Sequence, residues 1–277
     1  MINRFKEYLI QDGKSVNTIN SYLRHLQGFL NWYKESYGTD FEKLHRINIW
    51  DFISFLRNIK KDNAKTVNAK ISALVKFNEF LIDKGIQTDL VISKKDNIKI
   101  QQQFASPTDI LKQDIEAFRQ KILENESKRD YAIITILAYA GLRISEALDL
   151  KVNDIDLTSK EITVRSGKGD KQRIVFINDK IINSVKEYMK ERKSDSKYLF
   201  TSRQSDSVNR TRINQIFNKY SDKITPHTLR HFYCTNALEA GYSVHEVANQ
   251  AGHSNIHTTL IYTNPSRKKM KDKANLL

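Results

Sequence analysis

Cysteine is almost missing from this 277-residue chain, with Cys234 its single example. No internal disulfide can form, and a cysteine-rich zinc cluster is excluded. Cys234 itself reads as a small buried apolar residue and not as a nucleophile. Proline (three) and glycine (nine) are also scarce, so each breaker is informative about where an element stops. No apolar run approaches the roughly 18 residues needed to cross a bilayer. The opening stretch MINRFKEYLIQDGKS breaks its apolar positions with charges too often for a secretory signal. These absences exclude a disulfide-stapled or membrane-spanning protein and point to the cytoplasm.

What the chain does have is positive charge. Lys and Arg number 46 against 32 Asp and Glu, a formal net charge of +14. Residues 1–92 hold 14 basic and 10 acidic residues, and 93–277 hold 32 and 22, so both parts are basic. Such a balance favours a polyanionic partner, nucleic acid first and an anionic membrane second. A hydrophobic content of 39% is enough for a packed core, and the length suits one large domain or two modest ones.

Helical spacing dominates the first third. KSVNTINSYLRHLQGFLNWYKESYG begins at Ser15, a plausible N-cap, and ends at Gly38. Within it Ile19, Tyr22, Leu23, Leu26, Phe29, Leu30 and Tyr33 recur at intervals of three and four. IWDFISFLRNIKK and KTVNAKISALVKFNEFLIDKGI add two more helices, the last stopping at Gly85. Residues 1–92 are therefore expected to form a helical domain. Residues 93–106 lose this period, collect Lys and Gln, and run up to Pro107, which disfavours helix just before it. They are the predicted linker. The remainder, 107–277, reads as mostly helical with one small sheet. Its sheet signal is EITVRSGKGDKQRIVFI, two β-branched runs around SGKGD. Thr225 and Pro226 fit the N-cap and first turn of a further helix. The expected class is mainly α with a small β-sheet.

Four stretches of the second domain stand out: GLRISEAL, GKGDK, HTLRH and AGHSNIHTTLIYTN. Each has a plain reading alone. Arg143 can cap carbonyls or pair with Glu146, and Lys168 at a hairpin tip can be a solvated charge. His227 and Arg230, three apart, share one helix face and suit an ion-pairing surface. The pairs His227/His231 and His253/His257 have a spacing that can bind zinc. Arg230 beside His227, and the lack of a carboxylate inside either motif, count against a metal.

Taken together, the residue types suit attack on a phosphodiester, which builds negative charge on the nonbridging oxygens. Without a metal that charge needs fixed donors, and the planar fork of arginine binds two oxygens at once. Arg143 and Arg230 could form the clamp, with His253 as a further donor. A tyrosine hydroxyl, with a pKa near about 10, needs a base or local positive charge, and His227 is the nearest base. Lys168 could protonate the departing sugar oxygen. Tyr262 would then hold the phosphate covalently.

In this order and spacing the motifs closely resemble the tyrosine recombinases, the phage-integrase and Xer-like group. The resemblance covers nearly the whole chain. SVNTINSYLRHLQGFLNWY and TVNAKISALVKFNEFLIDKG are similar to the family's helical, SAM-like core-binding domain, and 107–277 to its α+β catalytic domain. It implies Tyr262 as nucleophile, Arg143, Arg230, His227 and His253 as the activating pocket, and Lys168 as general acid. The implied reaction cuts one strand of each duplex to a 3′-phosphotyrosine and a free 5′-hydroxyl. Exchange then passes through a Holliday junction held by four protomers, alike or shared with a related recombinase. The implied partners are double-stranded recombination sites, with no membrane and no metal, ATP or other high-energy cofactor. His257 matches no catalytic position. The tail PSRKKMKDKANLL either packs on a neighbouring subunit, as in relatives, or frays.

Groove contacts in the N-terminal domain are expected at Lys65, Thr66, Asn68 and Lys70. The residue types also fit a type IB topoisomerase or a DNA-binding protein with a decayed site. Dimer resolution, integration, excision and cointegrate resolution stay open, and the absence of an evident arm-binding domain leans towards an Xer-like or resolvase role.

Overall fold

The computed structural model describes residues 1–100, 110–165, 172–202, 205–253 and 256–260. The chain divides into two compact units, Met1–Gln102 and Gln103–Leu277. Sequence and structure agree on the class: the described elements are mainly helical with one three-stranded sheet.

The first unit holds α1 (Ile2–Gln11), α2 (Val16–Tyr37), α3 (Arg46–Ser54) and α4 (Ala64–Asp83). Ser15 caps α2 by accepting the Thr18 N–H, and Asn63 caps α4 by accepting the Thr66 N–H. Gly38 ends α2 in the left-handed conformation. α3 runs into a π-helical turn over Phe55–Ile59, which sequence spacing does not reveal. The apolar faces meet in an aromatic core. Phe29 stands edge-on to Phe52 at 5.1 Å and Phe5 edge-on to Phe77 at 5.3 Å, geometries that add to the gain from burial.

The segment expected to begin the linker is instead strapped to this unit. Ile92 and Ile98 pack on its core. Asp96 pairs with Arg46, whose Nη1 also donates to the Val91 carbonyl at 2.8 Å. Asn68 brackets Ile98, donating to its carbonyl at 2.9 Å and accepting its N–H at 2.8 Å. Composition suggested a linker because these ties are polar and leave no hydrophobic period. Residues 101–109 lie outside the described set.

The second unit contains α5 (Lys112–Asn125), α6 (Lys128–Tyr139), α7 (Ile144–Leu148), β1 (Ile155–Asp156), β2 (Glu161–Arg165) and β3 (Gln172–Phe176). It continues with α8 (Asp179–Glu191), α9 (Arg210–Tyr220), α10 (Pro226–Glu239), α11 (Val244–Ala251) and α12 (His257–Leu260). α6 is central, with every residue from Ala132 to Ala138 buried. The predicted hairpin is present, β2 and β3 pairing antiparallel from Glu161↔Phe176 to Arg165↔Gln172. β1 joins as a third strand, antiparallel to β2, with Ile155↔Ile162 and Asp156↔Glu161. Thr225 caps α10 by accepting the Thr228 N–H, and Pro226 occupies its first turn. Cys234 is buried between α10 and α11 beside Ala237, Val247 and Ala251. Burial pushes its thiol up to about 11, as suits an inert core residue.

Asn68→Ala is expected to remove both ties to Ile98 and to leave that backbone's polar groups less well satisfied. Loss of about 1–3 kcal/mol in denaturant unfolding of the first unit, with faster proteolysis within 93–100, is the predicted outcome. Unchanged cleavage there would show that the strap does not depend on Asn68.

Candidate active site

The second unit brings four of the six expected catalytic residues into one pocket. Lys168 and Tyr262 lie outside the described residues. Arg143 sits at the N-cap of α7, immediately after a turn through Gly141. Gly141 has φ +62, and a Cβ there would stand 2.2 Å from the Tyr233 ring. Only glycine allows this turn and the close approach of the ring together. The turn aims the Gly141 carbonyl at Arg230, whose Nη1 donates to it at 2.6 Å.

Arg230, on α10, is 6% exposed. Its Nη2 is buried with no hydrogen-bond partner among the described residues. Burial, with Arg143 close by, holds its pKa below the ordinary arginine value. Leaving such a donor unmatched costs free energy, which an incoming anionic oxygen would recover.

Arg143 is held by one carboxylate. Glu146 accepts the Arg143 backbone N–H and its Nη1, each at 2.8 Å. The second arginine nitrogen, Nη2, donates to the Gly252 carbonyl at 2.7 Å. Arg173 from β3 meets the same carboxylate with both nitrogens, at 3.1 and 2.8 Å. Burial pushes the Glu146 carboxyl up, yet its bonds from Arg173 and Arg143 outweigh this and hold it below the usual range. The alternative reading of Arg143, a partner for Glu146, is thus also what the structure shows.

His253 follows the left-handed Gly252 that ends α11. Its Nδ1 is 2.7 Å from Thr259 Oγ1. Burial first, then Arg230, Arg143 and Arg173, push its pKa down to about 4, so the ring is neutral at pH 7. His227 and His231 face each other with their Nε2 atoms 2.8 Å apart. Burial also lowers both, His231 to about 4. Spacing had suggested zinc; among the described residues no three metal-binding side chains converge. His257 begins α12.

Arg173, Gln250 and Thr259 were not singled out by sequence, and His231 only as one half of a zinc-spaced pair. Two of them carried a signal. Strand alternation puts Arg173 on the face of the buried Val175, an unusual place for a charge unless it is paired. Gln250 is buried with its neighbours Val247 and Ala251 on the inner side of α11. The groove contacts expected on α4 divide in two. Lys65 is exposed and Thr66 half-buried, whereas Lys70 pairs with Asp62 at 2.6 Å and the Asn68 amide is engaged by Ile98.

Comparison with known proteins is consistent along the chain. The phage integrase family model matches residues 109–269, and the phage integrase N-terminal SAM-like domain matches residues 2–85. The TnP I resolvase of Bacillus thuringiensis is 52% identical over 279 residues, covering 99% of this chain and 98% of its own. Tyrosine recombinase XerA of Pyrococcus horikoshii is 30% identical, covering 98% and 91%. XerH bound to a palindromic difH substrate, a post-cleavage complex, superposes with a TM-score of 0.74 at 22% identity, covering 92% of this chain and 78% of that one. The Tn1549 transposon integrase in complex with transposon right end DNA gives 0.71 at 19%, covering 100% and 98%; these two share the fold. The chain belongs to the phage integrase family, the tyrosine site-specific recombinases.

The neutral histidines predict a pH dependence. His253 has a folded pKa near 4 against 6.5 for the ordinary group, so between these values the unfolded chain binds more protons. This contribution is complete above pH 6.5 and is lost as pH falls towards 4. The urea midpoint of wild type is expected to drop from about pH 7 to about pH 5 by more than that of His253→Gln. Equal drops would contradict a neutral, half-buried His253.

Proposed function

We propose that this pocket binds the scissile phosphate of a DNA strand and promotes its transfer to Tyr262. The Tyr262 oxygen attacks phosphorus, the bond to the 5′ oxygen breaks, and the strand keeps a 3′-phosphotyrosine. The tyrosine proton passes to His227, whose lowered pKa leaves it able to accept one. Lys168 supplies the proton that the departing 5′ oxygen needs. Arg143, Arg230 and His253 take up the charge on the nonbridging oxygens. The observation that carries this reading is the buried Arg230 Nη2, a donor unmatched among the described residues and next to Arg143.

Reversal of the same step on an exchanged strand gives recombination through a Holliday junction held by four protomers. The 52% identical relative is named a resolvase, which supports resolution of one DNA molecule carrying two sites as the reaction served. XerH and the Tn1549 integrase were solved with DNA substrates, which supports duplex DNA as the partner here. Lys65 and Thr66 contact DNA, while Lys70 and Asn68 keep the first unit's surface in shape.

A nicked duplex that releases the cleaved end tests the chemistry. Wild type is expected to accumulate a covalent protein–DNA adduct with chelator present, and Tyr262→Phe none. Arg230→Gln should slow adduct formation by about 100- to 1,000-fold. An adduct with Tyr262→Phe, or none with wild type, would overturn the assignment.

A further inference from the structure

α11 and β3 are joined by a clasp that the reaction scheme does not yet use. β3 is the last strand of the sheet order β1-β2-β3, so one row of its backbone groups faces away from β2. The Gln250 side chain fills part of that row. Its Nε2 donates to the Ile174 carbonyl at 3.2 Å, and its Oε1 accepts the Phe176 N–H at 3.0 Å. One amide thus does the work of a neighbouring strand, and at 7% exposure it does so away from water.

Arg173 closes the clasp from the other side. Its Nε donates to the Gln250 carbonyl at 3.0 Å while its two terminal nitrogens hold Glu146. Glu146 holds Arg143, and Arg143 donates to the Gly252 carbonyl. The bonds form a closed ring, running from β3 through Glu146, Arg143 and Gly252 to Gln250 and back to β3. Gly252 has φ +69, and a Cβ there would lie 2.6 Å from the Arg173 guanidinium, so the ring needs glycine at this point. His253 is the next residue.

The geometry points to Gln250 as a positioning residue for strand cleavage: acting with Arg173, it fixes the α11 C-terminus so that Arg143 and His253 meet the scissile phosphate. Gln250 touches no substrate. It acts by preventing the Gly252 turn from shifting, and a misplacement of about 1 Å at a reacting centre can cost about 100-fold in rate. This inference rests on the phosphate-pocket reading above.

The test compares cleavage of an ordinary scissile phosphate with cleavage of a methylphosphonate, in which a methyl group replaces one nonbridging oxygen and removes the charge. Gln250→Leu keeps the bulk and loses both bonds to β3. Gln250→Glu keeps an acceptor for the Phe176 N–H and loses the donor. Gln250→Leu should slow single-turnover cleavage of the phosphate by about 10- to 100-fold, with DNA retained in a mobility-shift assay. On the methylphosphonate the penalty should shrink to about threefold or less, because the donors that Gln250 places no longer face a full charge. Gln250→Glu should fall between Gln250→Leu and wild type, and it carries the comparison if Gln250→Leu does not melt cooperatively. Equal penalties on both substrates, or no penalty on the phosphate, would overturn the proposal. Arg143→Ala separates the two levels. If its penalty shrinks on the methylphosphonate and that of Gln250 does not, the positioning role alone fails. If its own penalty does not shrink, the phosphate-pocket reading fails and takes the positioning role with it.

Discussion

Arg143, Arg173 and Arg230 converge on one pocket, and three guanidinium groups repel one another. Glu146 makes the arrangement tenable. It is half-buried between two of the three, accepts four hydrogen bonds from them, and stays ionised despite its burial. Loss of Glu146 would leave Arg173, buried with it, uncompensated, at a cost of about 3–5 kcal/mol. Arg173 is neutralised by this carboxylate. Arg230 keeps one donor, Nη2, that is unmatched among the described residues. The pocket therefore holds its surplus positive charge where an anion can use it.

The same carboxylate organises the local fold. It links the start of α7 to β3, and Arg143 links α7 to the end of α11. Three segments distant in sequence thus share one set of polar contacts at the edge of an apolar core. Donors held in place before a negative charge develops stabilise it without reorganising, which such rigidity allows. His253 and His231 complete the arrangement as neutral rings, kept so by burial and by the nearby arginines.

Much of this was legible in the sequence, for physical reasons that differ by residue. Helices α2 and α4 carry their helical pattern in local sequence, and Ser15, Thr225 and Pro226 marked the starts of α2 and α10. The hairpin announced itself because β-branched runs flanked a glycine-containing turn. Arg143, His227, Arg230 and His253 stood out because their motifs resemble those of the family, and the structure brings them near one another. The strap over 91–98 was not legible, because Asn68 and Ile98 are bonded through one side chain and a backbone 30 residues away. Gln250 and Arg173 escaped notice for the same reason: their partners lie on other elements, and no local spacing records a contact between α11 and β3. The four-residue histidine spacing, weighed as a zinc signal and set aside on the sequence, corresponds in the structure to His227 facing His231, while His253 meets Thr259.

The arginine cluster depends on the charge of Glu146 and not merely on its shape, so the most direct measurement is single-turnover DNA cleavage by Glu146→Gln. That substitution keeps the volume and most hydrogen-bonding geometry while removing the charge that confines Arg143 and Arg173. With the variant still folded by circular dichroism, cleavage slowed by about 10-fold or more is expected, as misplaced donors lose their hold on the transition state. A folded Glu146→Gln that cleaves at the wild-type rate would contradict the central claim.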